Sequence, residues 1–216
     1  MTLILAVLPP LLIAYYVYQK DKYDKEPKSL IIKSFLFGCL GIIPAIFLEL
    51  FAEGMFTNLI LYVFIGIALV EEGVKYFFLK KYLFNNKEFN EPMDGIVYAV
   101  MISLGFATVE NLFYVFNYAG DQETRVAIIR MFSAIPLHAA CGVIMGYFVG
   151  QAKFNIKSNN YLFKGLFSAV IIHGLYNYFI FLGDTSSLSF VVLFIAILFS
   201  RKAINIHQED SKIRNL

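Results

Sequence analysis

Runs of roughly 20 apolar residues recur along the chain at about 2–19, 30–52, 57–79, 93–118, 126–151, 162–182 and 187–204, and a helix of that length spans the hydrocarbon core of a bilayer. Gly and β-branched residues are common within the runs, and the period-two alternation of membrane-barrel strands is absent. The pattern predicts an all-α, polytopic transmembrane helical bundle of about seven spans, because helices satisfy their own backbone hydrogen bonds in lipid. Connections of about 5 to 15 residues leave no room for a separate soluble unit. Residues 1–216 are therefore expected to form a single integral membrane domain.

The basic residues fall in alternate connections. Lys20, Lys22, Lys25, Lys28 and Lys33 follow the first run, Lys80, Lys81 and Lys87 the third, Lys153, Lys157 and Lys164 the fifth, and Arg201, Lys202, Lys212 and Arg214 the last. The other connections hold Glu53, then Asp121, Glu123 and Arg125, then Asp184. The positive-inside rule places the N-terminus outside and the C-terminus in the cytoplasm, which requires an odd number of spans. The first run lacks the basic leader and small-residue cleavage site of a secretory signal and reads as an N-out anchor. Pro9 and Pro10 should kink it, and Tyr15, Tyr16, Tyr18 and Tyr23 suit the aromatic belt at its basic end.

Composition agrees with a membrane protein: 59% of residues are hydrophobic, 16% are charged and the mean hydropathy is +0.67, far from the balance of a soluble domain. The net charge of +2 carries no sign of nucleic-acid binding. Cys39 and Cys141 lie in apolar runs without metal-type spacing and are read as small core residues.

The candidate chemistry lies in what interrupts the runs. Glu71 and Glu72 with Lys75, then Glu110, His138 and His173, place ionisable groups on four hydrophobic segments, where a charge costs about 3 kcal/mol or more unless paired or hydrated. At 1.5 Å per residue, Glu71 lies roughly 20 Å, Glu110 about 12 Å, His138 about 17 Å and His173 about 14 Å from the outer ends of their spans. All can therefore meet in one layer near the midplane, which predicts an active site inside the membrane.

Each motif also has a structural reading. Glu71 and Lys75, at i,i+4, can form a self-compensated ion pair; Glu72 points about 100° away, so one lysine should not serve both carboxylates equally and one should be free to act as a base or ligand. Asn111, beside Glu110, can hydrogen-bond across the bundle. Asp94, about 24 Å from Glu110, reads as an N-terminal helix anchor. His138 shares a face with Ala134, Gly142, Gly146 and Gly150, a small-residue stripe for close helix packing, and Arg130 can pair with an acid at the outer end. Asn177, at i,i+4 from His173, can orient the imidazole.

Taken together, Glu-Glu-x-x-Lys at 71–75, Asp-Gly-Ile-x-Tyr at 94–98, Gly-Phe-Ala-x-x-Glu-Asn at 105–111, His138 and His-Gly-x-Tyr at 173–176 resemble the PrsW family of intramembrane proteases. The similarity runs from Lys-Asp-x-Tyr-Asp-x-Glu-Pro at 20–27 through the sixth run. Related patterns occur in type II CAAX prenyl proteases and immunity-type (Abi) membrane proteins, although Glu110 stands where the CAAX proteases have His and Asn177 where Asp is expected. The resemblance implies site-1 cleavage of a single-pass, membrane-anchored anti-sigma factor in an envelope-stress response, in a bacterial cytoplasmic membrane.

The residues then suggest peptide hydrolysis in which Glu71 or Glu72 deprotonates a water. Glu110, His138 and His173 are candidate ligands for a divalent metal such as Zn, and Lys75, Asn111 and Asn177 are supporting residues. There is no HExxH motif, so metal-assisted and glutamate-only activation both stay open. A proton-coupled transporter or a non-enzymatic immunity-type scaffold would also place such groups at the midplane. The transporter reading lacks an evident inverted repeat.

Overall fold

The computed structural model describes residues 1–118, 120–155 and 159–214. Among the described residues every regular element is helical, as the absence of period-two alternation requires. The helices are α1 (Thr2–Lys20), α2 (Lys28–Met55), α3 (Leu59–Leu61), α4 (Leu69–Phe78), α5 (Pro92–Phe113), α6 (Glu123–Phe132), α7 (Ala134–Gly150), α8 (Asn159–Leu182) and α9 (Leu188–Arg214). Six helical segments are long and apolar enough to cross a membrane.

The expected span at 57–79 takes a different form. Asn58 caps it by accepting the backbone N–H groups of Ile60 and Leu61 at 2.9 and 3.2 Å, leaving two fewer orphan donors. Helix then continues without a break from α3 through a π-helical stretch, Tyr62–Ala68, into α4 and a second π turn, Leu79–Leu83. This run carries Glu71, Glu72, Lys75, Lys80 and Lys81, whereas each of the six apolar segments has an 18-residue stretch with at most two charges.

The expected single span at 126–151 is two helices. α6 ends at Phe132, and Ser133 adopts φ −127°, ψ −78° before α7 begins. Pro136 explains the break: its ring excludes the carbonyl four residues earlier, Phe132, and it has no N–H to donate there. Ser133 turns its own hydroxyl back to Ile129 O at 2.8 Å.

α5 is the hub, buried from Pro92 through Thr108. Glycines let its neighbours come close. A Cβ on Gly95 would lie 2.6 Å from Gly146 O and 2.9 Å from Gly150 N on α7, and one on Gly105 would run into Phe35 O on α2. The small-residue stripe of α7 thus packs backbone to backbone against α5 and turns His138 inward. The outer helices keep apolar faces outward, with Phe47, Phe51, Phe163 and Phe167 each about two-thirds or more exposed, the composition lipid contact calls for.

Four lysine-bearing regions gather at one end. Asn90 donates to Asp24 at 2.8 Å, Lys153 to Phe84 O and Phe89 O at 2.6 Å each, Arg214 to Phe154 O at 2.8 Å, and Gln208 to Lys20 O. The alternation read from the sequence is therefore realised in space as a lysine-rich end and an opposite end, where Thr2 meets Thr124.

Candidate active site

α4 places Glu71, Glu72 and Lys75 on its inward face, all essentially buried. The Lys75 ammonium has three N–H groups, and all three are used: Glu71 Oε2 at 3.2 Å, Glu72 Oε1 at 2.8 Å and His138 Nδ1 at 3.0 Å. The lysine reaches both carboxylates but not equally, lying closer to Glu72 than to Glu71. Glu72 sits at i,i+3 and Glu71 at i,i+4, so the flexible lysine stem reaches between them.

The bond from Lys75 requires an unprotonated Nδ1 on His138. Its Nε2–H then donates to Glu110 Oε2 at 2.8 Å. Glu110, from α5, is also paired with the Arg130 guanidinium at 3.1 Å, and Arg130 lies over the Tyr114 ring at 4.1 Å. His173, from α8, donates through Nδ1 to Glu72 Oε1 at 2.8 Å, and its ring stands edge-on to His138 with centroids 5.1 Å apart. The Phe106 ring closes the floor beneath Lys75, 4.3 Å from Nζ.

Asn111 forms the predicted bridge across the bundle, and α1 shows why it can. Pro10 has no N–H to offer the carbonyl of Ala6 four residues earlier, so that carbonyl is open to Asn111 Nδ2, at 2.9 Å. Asn111 Oδ1 accepts Arg130 Nε at 2.7 Å. Pro10 of α1 thereby frees the carbonyl that anchors, through Asn111, the arginine that holds Glu110.

One ligand atom from each of Glu71, Glu72, His138 and His173 falls within a mutual 4.8 Å. Glu110 is not in that set. It stands behind His138 on the far ring nitrogen, at 2.8 Å, the usual place of a carboxylate that orients a ligating histidine. Asn177 makes no hydrogen bond among the described residues, and Glu72 rather than Asn177 fixes His173. Asp94 lies apart, accepting Asn90 and Glu91 N–H at the start of α5, as a helix anchor should. Glu49, half-buried on α2, was missed: it faces Glu71, Glu110 and Lys75 electrostatically. Its signal in the sequence was a carboxylate inside the apolar run 30–52.

Two features of the cluster suit a bound cation. Glu72 Oε1 takes both Lys75 and His173, while Oε2 is buried without a hydrogen-bond partner. Three carboxylates, Glu71, Glu72 and Glu110, face two fixed cations, Lys75 and Arg130, which leaves negative charge uncompensated where it is costly. Mixed imidazole and carboxylate donors suit zinc and similar divalent metals. For His138 to ligate through Nδ1, Lys75 must withdraw from it.

A family model described as PrsW family intramembrane metalloprotease matches residues 26–200. The chain belongs to the PrsW family. It is 39% identical over 175 residues to Protease PrsW of Geobacillus kaustophilus (strain HTA426), covering 80% of this chain and 76% of that one. It is 33% identical over 204 residues to Protease PrsW of Clostridioides difficile (strain 630), covering 90% and 85%. To Protease PrsW of Bacillus subtilis (strain 168) it is 31% identical over 176 residues, covering 80% and 79%. No solved structure matches the chain. PrsW membership makes it a peptidase and a multi-pass bacterial membrane protein.

Proposed function

We propose that the Glu71–Glu72–His138–His173 cluster is the active centre of an intramembrane endopeptidase that performs site-1 cleavage of a single-pass anti-sigma factor in an envelope-stress response. The observation that carries the catalytic assignment is Glu72: one oxygen is fixed by Lys75 and His173, and the other is buried and unengaged beside two imidazoles. A carboxylate so held is placed to take a proton from an attacking water. The substrate class rests on the family resemblance.

Lys75 keeps Glu71 and Glu72 together and neutralises part of their charge. Glu110 and Arg130 hold His138 in one tautomer, while Glu72 does the same for His173. Held by Glu71, His138 and His173 beside Glu72, a divalent metal such as zinc would polarise the scissile carbonyl and favour ionisation of water near neutral pH. The surrounding helices exclude bulk water, which strengthens every charge interaction in the cluster.

The test is cleavage of a reconstituted single-pass substrate with a short extracytoplasmic domain by the purified protein. A transporter or scaffold would leave that substrate intact. A strong chelator is expected to abolish cleavage, zinc to restore it, and His173→Ala to lower bound metal together with activity. Full activity in exhaustively metal-stripped protein would instead support water activation by the glutamates alone.

The proposed orientation puts the lysine-rich end in the cytoplasm. In a background without Cys39 and Cys141, Lys25→Cys and Lys87→Cys should resist an impermeant thiol reagent in intact cells, while Glu53→Cys and Gln122→Cys should label. Labelling of the lysine-rich connections from outside would reverse the orientation.

A further inference from the structure

A second group of acids lies at the lysine-rich end, where the α1–α2 connection meets the start of α5. Asp21 and Glu26 come from the connection, Glu91 and Asp94 from the head of α5, and all four are buried, Asp21 and Asp94 completely. Oxygens of Asp21, Glu91 and Asp94 lie within 4.8 Å of one another, and the Glu26 carboxyl abuts that of Asp94. Asp94 is about 24 Å along α5 from Glu110, so this group is separate from the candidate active site.

The backbone holds one oxygen of each aspartate. Asp21 Oδ2 accepts Glu26 N–H at 3.2 Å, and Asp94 Oδ2 accepts Asn90 and Glu91 N–H at 2.7 and 2.8 Å. The other oxygens, Asp21 Oδ1 and Asp94 Oδ1, are buried without a hydrogen-bond partner, as is Glu26 Oε2. Carboxyl therefore meets carboxyl in a dry site, Asp21 against Glu91 and Glu26 against Asp94 at hydrogen-bonding range, so a shared proton or a cation must lie between them. Among the described residues no Lys, Arg or His forms an ion pair with Asp21, Glu26 or Asp94. Lys153 reaches Asp94 and Glu26 electrostatically, but it donates to the carbonyls of Phe84 and Phe89.

We propose that Asp21, Glu26, Glu91 and Asp94 form a binding site for a hard divalent cation, Ca²⁺ or Mg²⁺, which clamps the α1–α2 connection to the head of α5. The donors are all oxygens, which selects these ions over zinc or copper. Oxygens of Asp21, Glu91 and Asp94, all within 4.8 Å of one another, can reach one ion at Ca–O distances of about 2.4 Å. The competing occupant is the proton, since burial, more than the neighbouring acids, pushes Asp21 up to about 7 and Glu26 up to about 11.

The experiment follows thermal unfolding of the full chain in detergent, first stripped with chelator and then titrated separately with CaCl₂ and MgCl₂. At least one salt at millimolar concentration is expected to raise Tm by roughly 4–8 °C, and the salt effective at lower concentration identifies the ion. Asp21→Asn should remove the rise, while His173→Ala, which alters only the candidate active-site donors, should keep it. Radiolabelled calcium binding to the unmutated chain, competed by MgCl₂, reads the site without any variant. A Tm indifferent to both salts, or an Asp21→Asn chain that is more stable with or without salt, would assign the group to shared protons and overturn the proposal.

Discussion

Replacing Glu72 by Gln is expected to reduce cleavage by about 10²–10⁴-fold, the usual loss when a general base is removed, with no loss of folded protein. Gln is nearly isosteric with Glu and still offers Lys75 and His173 an oxygen to bond. What disappears is the negative charge and the basicity of Oε2, the buried oxygen that no donor engages. The change also relieves part of the excess negative charge, so accumulation and Tm should hold or rise. Glu110→Gln should behave differently. Glu110 acts through His138, so its removal should cost nearer 10–100-fold in rate or metal affinity, and the uncompensated Arg130 should lower Tm. Initial cleavage rates, Tm and bound metal, measured together, separate the two roles. Wild-type rates in both Glu71→Gln and Glu72→Gln would show that the catalytic centre lies elsewhere.

Much of the arrangement was legible because lipid is an unforgiving solvent. A glutamate or histidine in an apolar run must face the bundle, so Glu71, Glu72, Glu110, His138 and His173 could be assigned to one layer from depth alone. Helix existence followed from run length, and the α7 face from its glycine spacing. The details that depend on three-dimensional reach were hidden. Lys75 bridges both glutamates because its stem is long and mobile, which helix-wheel angles do not describe. Glu110 pairs with Arg130 and the far side of His138, a choice settled by how α5, α6 and α7 cross. The break at Ser133 was signalled by Pro136, yet the apolar run continues through it. The link from Asn111 to Ala6 O depends on a carbonyl freed by Pro10, a consequence of the α1 proline that is visible only once α1 and α5 are packed together.

Lys75→Met is expected to produce the largest loss of stability of any single change in the cluster. The lysine is about 1% exposed, and the carboxylates it bridges are 4% and 0% exposed, so its removal leaves two charges in a water-poor interior and removes the donor to His138 Nδ1. Breaking a buried ion pair from one side costs about 3–5 kcal/mol, enough to lower accumulation in the membrane and the Tm of purified protein sharply. Methionine keeps the length of the stem and its packing over Phe106, so the loss reports charge rather than volume. The double variant Lys75→Met with Glu72→Gln supplies the decisive comparison. Removing one of the two stranded charges should recover a large part of the lost Tm, because the two positions are directly coupled and their effects cannot add. Activity should stay at the Glu72→Gln level, since stability returns without the base. Simple additivity of the two Tm changes would mean that Lys75 and Glu72 are not coupled, and the charge balance drawn for the site would have to be abandoned.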